Sequence, residues 1–171
     1  LTEITSAGSI VWANVAEARD LAAGDKGGTS DAFAVAELID LATKQPFKDH
    51  PRAKKTSVVE KTLAPVWDDG EVAWVDILED CAGLALKVTV FDEDKGRMST
   101  SNDNLGSLIV PLSDLIAPEE GEVLPSMVAW YPLSQDDPKS KLQAKGSVKL
   151  CIQVKAMKAK IAFKRTPWTG K

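Results

Sequence analysis

Five aspartates draw attention by their spacing. Asp92 and Asp94 are two apart at the end of an apolar run, and Asp103 follows after a polar stretch. Asp25 and Asp31 bracket a second polar stretch, Asp25-Lys-Gly-Gly-Thr-Ser-Asp31, with Gly27 and Gly28 supplying a tight bend between them. Carboxylates are hard oxygen ligands, and a set of them carried on loops suits Ca²⁺ better than the other common metals. Neither loop alone holds enough oxygens for a good site. Gathered at one end of a fold, the five would repel one another unless cations sat among them. Asp92 to Asp103 spans 12 positions, the length of an EF-hand loop. Gly96 and Arg97 nevertheless occupy the places where that loop needs a ligand and its turn glycine, and the last position is Asp rather than Glu.

The segments around these loops read as strands. Before Asp92, Leu84, Leu86, Val88 and Val90 alternate with Ala85, Lys87, Thr89 and Phe91, the pattern of a half-buried strand. A second apolar run, 105–112, follows Asp103. Ser9 to Val15 and Ala32 to Ile39 are strand-like on either side of the first loop. Lys54 to Thr62 is β-branched with basic ends. Pro65 and Asp69-Gly70 mark turns before an alternating segment at 71–78. Met127 to Leu133 is a further strand, and 146–156 closes the pattern with Val148, Leu150, Ile152 and Val154 inward. About eight short strands with frequent turns and no long helix predict an all-β fold, an antiparallel sandwich. The expected organisation is a lead-in over 1–8, one domain over 9–156 and a basic tail or linker over 157–171.

Composition narrows the function. A chain of 171 residues can bury a sizeable core in one domain. The net charge of −4 argues against general nucleic-acid binding. No apolar run approaches the length of a membrane span, so any membrane contact is expected to be peripheral. Two cysteines, Cys81 and Cys151, form no disulfide framework and fit a cytosolic setting. The chain opens on Leu1 rather than Met and is expected to be a piece of a longer protein. His50 has no nucleophile beside it, and no Ser/His/Asp pattern, CxxC or phosphate loop occurs, so the chain does not read as an enzyme.

An ordered set of segments carries a resemblance: Ala18-Arg-Asp-Leu21, Gly24 to Phe33, Lys55-Thr56, Lys61-Thr-Leu-Ala-Pro65-Val-Trp67, Val88 to Asp94 and Asp103-Asn-Leu-Gly106. In this order, across most of residues 9–156, they resemble the C2 domains. The resemblance implies an eight-stranded antiparallel Greek-key β-sandwich, in the circular variant called type II, whose loops at one end bind Ca²⁺ and then membranes. It implies a calcium role for Asp25, Asp31, Asp92, Asp94 and Asp103, with main-chain carbonyls near Gly24 and Glu93 as further ligands. Three features depart from the family pattern. The Asp94–Asp103 segment is longer than usual, Ala32 stands where a proline is usual, and Val35 and Glu37 stand where phosphoinositide-binding members carry lysines.

The expected function is a calcium-dependent module that binds anionic phospholipid and targets a larger protein to membranes. Two or three Ca²⁺ are the expected cofactors: two would bring the five negative charges to about one, and three would reverse the sign. Lys54, Lys55 and Lys61 are either a lysine-guarded strand edge or a patch for anionic headgroups such as phosphoinositides. Lys26, Lys95, Arg97 and Met98, on the acidic loops, are either solvated or touch lipid, the bases at phosphate and Met98 in the interface. The expected location is cytoplasmic, at the membrane periphery when calcium binds. The alternatives are a calcium-independent C2-like domain that binds protein partners, or the targeting arm of a lipid-signalling enzyme.

Overall fold

The structure, a computed structural model, describes residues 2–5, 8–94, 102–115, 127–135, 137–140, 142–156 and 160–163. Its sandwich holds eight strands: β2 (Ser9–Arg19), β3 (Ala32–Asp40), β4 (Lys54–Lys55), β5 (Glu71–Ile77), β6 (Leu84–Asp92), β7 (Asp103–Pro111), β8 (Met127–Pro132) and β9 (Ser147–Ala156). One sheet runs β5-β2-β9-β8 and the other β4-β3-β6-β7, and all neighbours are antiparallel. The last sandwich strand thus lies beside the first. Short 3₁₀ turns at Cys81–Gly83 and Leu112–Leu115 are the helical elements among the described residues.

Alternation builds the core, as it must when each sheet shows one face to the other. On β9, Val148, Leu150, Ile152 and Val154 are buried, while Lys149, Gln153 and Lys155 are not. On β2, Val11, Ala13 and Val15 meet them from the neighbouring strand. Leu38, Leu86, Val88 and Val90 supply the facing layer from β3 and β6.

Two expectations are corrected. β6 is not half-buried: Ala85 and Thr89 on its second face are buried too, because β6 is central and lies between β3 and β7. The strand expected over 54–62 shrinks to Lys54–Lys55 with one isolated bridge between Val59 and Ala32. Side chains interrupt its ladder. Thr56 Oγ1 accepts the Ala34 N–H at 2.9 Å, and Asp69 Oδ2 accepts the Ser57 N–H at 2.8 Å, so local polar groups take partners a longer strand would have used. Within the stretch read as a lead-in, β1 (Thr2–Thr5) pairs antiparallel with β10 (Lys160–Phe163) from the tail.

The core makes a direct prediction. Leu86→Ala, at a fully buried site, should lower the unfolding free energy by about 2–5 kcal/mol. Val128→Ala, 58% exposed on β8, should change it by no more than about 0.5 kcal/mol. Urea unfolding of the two variants measures both. Equal losses would show that the inner layer does not carry the stability.

Candidate metal centre

Strand register brings two remote loops to one end of the sandwich. β3 starts at Ala32, directly after Asp31, and β6 ends at Asp92; Ala32 pairs with Asp92. On the far side of β6, Asp92 pairs with Asp103, the first residue of β7. The loop before β3 and the loop after β6 must therefore emerge together. Hydrogen bonds lock them. The Asp31 N–H donates to Asp92 Oδ1 at 2.7 Å across 61 positions of sequence, and the Glu93 N–H donates to the Asp31 carbonyl at 2.8 Å. Trp67, buried behind the junction, donates its indole N–H to the Ala32 carbonyl at 3.2 Å.

The first loop is braced from within. Ser30 is fully buried; its hydroxyl donates to the Ala22 carbonyl at 2.8 Å and accepts the Gly24 N–H at 2.8 Å. The Asp25 N–H donates to Thr29 O at 2.9 Å, closing a turn in which Gly28 has φ 83°, a left-handed conformation suited to glycine. Gly24 lies against Asp92, and a methyl group there would run into the Asp92 carboxylate. Glycine lets the backbone approach.

The outcome is a cluster. One carboxylate oxygen from each of Asp25, Asp31 and Asp92 lies within 4.8 Å of the others. Asp25 is exposed, Asp31 is intermediate, and Asp92 is only 2% exposed. Asp31 Oδ1 also accepts the Lys61 N–H at 2.8 Å. Asp94 and Asp103 do not join the tight cluster, but their charge reaches it. Burial first, and then repulsion from Asp25, Asp31 and Asp103, pushes the Asp92 carboxyl up from 3.8 to about 6, against the opposing pull of the Asp31 N–H. Asp25 is pushed up by loss of water and by Asp31, with smaller repulsion from Asp103 and Asp94, while a hydrogen bond with Asp92 acts the other way.

The donor set fits an oxygen-preferring divalent cation. Three carboxylates converge, two with raised pKa, and among the described residues no sulfur or imidazole takes part. Among the basic residues read from the sequence, Lys26 is exposed on the first loop, and Lys61 adjoins the acidic end through its N–H. Lys54 and Lys55 are exposed on β4 but pair with Ala36 and Val35 further along β3. Lys95, Arg97 and Met98 lie outside the described residues. Sequence reasoning missed Ser30 as a brace and the closeness of Gly24 to Asp92. Both are ordinary loop residues whose partners are visible only in three dimensions.

Comparison with known proteins gives a match to the family model "C2 domain" over residues 10–133. Ras GTPase-activating protein 4B of Homo sapiens is 31% identical over 137 residues, which cover 79% of this chain and 14% of that protein. The chain thus spans about a seventh of that relative's length. A single C2 domain of plant Extended Synaptotagmin 1 superposes with a TM-score of 0.66 at 21% identity, over 89% of this chain and 98% of that one. The two calcium-bound C2 domains of Extended-Synaptotagmin 2 give 0.57 at 19% identity, over 90% of this chain and 47% of that one. At these identities the two structural likenesses are of fold.

The raised carboxyl sets a pH dependence. For Asp92 the folded state favours the protonated form, so its contribution to stability is fully present below about pH 4 and is lost as pH rises through about 6. Without metal, Asp92→Asn should be more stable than the parent at pH 7, by up to about 3 kcal/mol, with little difference at pH 4. Urea midpoints at the two pH values decide it. A parent that gains stability relative to the variant between pH 4 and 7 would contradict the crowding of this site.

Proposed function

The chain belongs to the C2 domain family, and from that premise we propose that it is a calcium-dependent module for anionic phospholipid surfaces, targeting a larger protein to the membrane. The observation that carries the reading is the convergence of Asp25, Asp31 and Asp92 from two loops, with the buried Asp92 carboxyl displaced to about 6. The calcium-bound neighbour of the same fold supports it. Asp25, Asp31 and Asp92 are the central ligands, with Asp94 and Asp103 contributing from the second loop. Bound Ca²⁺, as two or three ions, supplies the positive charge that offsets the carboxylates and open coordination for lipid phosphate oxygens.

The chain's own residues do the rest. Asp31 and Asp92 are held in place by the 2.7 Å bond between them, so the site requires little reordering on binding. Without cations, the acidic end repels an anionic leaflet. Lys26, exposed on the first loop, and Lys61, whose N–H binds Asp31, would meet lipid phosphates once that repulsion is offset. Lys95, Arg97 and Met98 belong to the same loop end by sequence and extend this contact. Among the described residues no helix is long and apolar enough to cross a membrane. The proposed attachment is peripheral, from the cytoplasm. In this reading the chain binds rather than catalyses, because every titratable group of the cluster is engaged as a ligand.

Calcium at about a hundredfold to a thousandfold over its Kd should raise the melting temperature by roughly 5–15 °C, and Asp25→Asn, at an exposed ligand, should remove most of that rise. Co-sedimentation with phosphatidylserine vesicles should require calcium and fail for the same variant. Calcium affinity should also rise when vesicles are present, since the two ligands are linked. No thermal shift, together with equal sedimentation in calcium and in chelator, would favour the calcium-independent protein-binding domain.

A further inference from the structure

β5 is an edge strand with one open side. It pairs with β2 alone, and the phase of that pairing fixes which backbone groups face outward. The Val15 N–H donates to the Gly70 carbonyl at 2.8 Å. The strands run in step from there, with Ala13 opposite Val72 and Val11 opposite Trp74. Hydrogen-bonded pairs alternate along an antiparallel ladder, so Val72 and Trp74 turn their N–H and C=O groups towards β2. Glu71 and Ala73 turn theirs to the open side. The regular edge ends at Asp76, where a φ of 55° accompanies a register shift in the pairing.

Lysine, proline or a covering segment commonly guards such an edge. β5 has neither lysine nor proline. Charge of one sign surrounds it instead. Asp68, Asp69, Glu71, Asp76, Glu79 and Asp80 are exposed, and no base lies between Lys61 and Lys87. Val75 and Leu78 are exposed among these acids. The one ion pair there brings Lys48 from another loop to Glu79, at 3.5 Å. The two faces of the edge differ. Glu71, Ala73 and Val75 are exposed on the outer face, while Trp74, on the core side, is 2% exposed. The Trp74 indole N–H has no acceptor among the described residues. It lines a hollow with Arg52 and Lys54.

We infer that the open side of β5 takes an extended basic segment of a partner protein, added as a further strand of the sheet. The outward backbone groups of Glu71 and Ala73 supply the ladder bonds, and the acids select the charge of the incoming strand. A second copy of this chain does not suit, because β5 against β5 sets acid beside acid. Successive side chains of the added strand fall on opposite faces. Those on the outer face, beside Glu71, are basic. Those on the core side meet two cations and a donor that lacks an acceptor, so they carry a hydroxyl, amide or carboxylate. This surface is separate from the acidic cluster. β5 ends at Ile77 opposite Ser9, the start of β2, whereas the first acidic loop follows Arg19 at its other end. Both can be occupied at once.

The test uses the whole chain, in calcium and in chelator, titrated under ¹H–¹⁵N spectra. The probe is a peptide of about ten residues in which lysine alternates with threonine. One control has glutamate for lysine; another is N-methylated at its lysines, which keeps the charge and removes the donors that would meet β5. The lysine peptide should bind alike in both buffers, move the Glu71 and Ala73 amide signals and the Trp74 indole signal, and slow exchange of those two amides with solvent. Ala73→Pro removes an outward N–H while sparing the ladder to β2, and should abolish binding. Glu71→Gln with Asp76→Asn should weaken it by about threefold to tenfold, and decides the matter if the proline variant does not fold. The inference is overturned if either control binds as the lysine peptide does, if a folded variant binds as the parent does, or if no peptide binds. Binding confined to chelator, with shifts at Asp25 and Asp31 in place of Glu71 and Ala73, would overturn it by placing the peptide on the acidic cluster. A dimer in sedimentation equilibrium that Ala73→Pro dissolves would overturn it by assigning the edge to a second copy.

Discussion

A carboxylate removed from water and set beside two others costs free energy unless positive charge or a proton reaches it. Asp92 is in that position, at the end of the central strand β6 with Asp25 and Asp31 within a few ångströms. Much of the surrounding structure keeps it there. The β3–β6 register sets its height, Gly24 makes room for its carboxylate, and the Asp31 N–H fixes one oxygen. Trp67 and Ser30 hold the two chain segments that could otherwise relax away. A fold selected only for stability would have no use for this arrangement. It would become favourable with a divalent cation in place of the proton that burial and crowding favour.

On the proposed reading, this constraint ties metal binding to folding. The proposed ligands come from residues 25–31 and 92–103, which are adjacent only when β3 and β6 are paired. The unfolded chain has no such pairing, so binding free energy would add directly to the stability of the sandwich. The scaffold suits that role because β3 and β6 are the inner strands of their sheet, each with a neighbour on both sides. The loops extend from the least deformable part of the molecule.

Much of this was legible in the chain itself. Strict alternation on β9 gave its inward residues correctly, because one face of that strand meets the core and the other meets solvent. The same reasoning misjudged β6, where Ala85 and Thr89 looked solvent-facing. Small side chains on a central strand are covered by neighbouring strands whatever their polarity, and strand order is not written in local periodicity. The early end of β4 was equally hidden, since it depends on Thr56 and Asp69 capturing backbone groups. The pairing of two acidic loops could be anticipated from residue type and spacing. The brace by Ser30 and the fit of Gly24 could not, for each rests on one contact between segments. The lysines near β4 looked like a single patch, but alternation over two residues sends Lys54 inward and Lys55 outward, while Lys61 belongs to the acidic end.

That division of the lysines changes the electrostatic picture of the molecule. Lys61 meets the acidic end through its backbone N–H, and Lys26 is an exposed residue of the first acidic loop. Surface charges separated by more than about 10 Å are largely screened at ordinary salt, so the sign at the acidic end is decided locally. There, two lysines cannot balance five aspartates, and the end is negative without cations. On the proposed reading, the same two lysines would act with bound cations at an anionic surface. The hollow around Arg52 and Lys54 is lined by a single carboxylate, Asp49, against those two cations. On the proposed reading, one domain therefore carries an acidic end whose charge would depend on metal and a basic hollow whose charge would not.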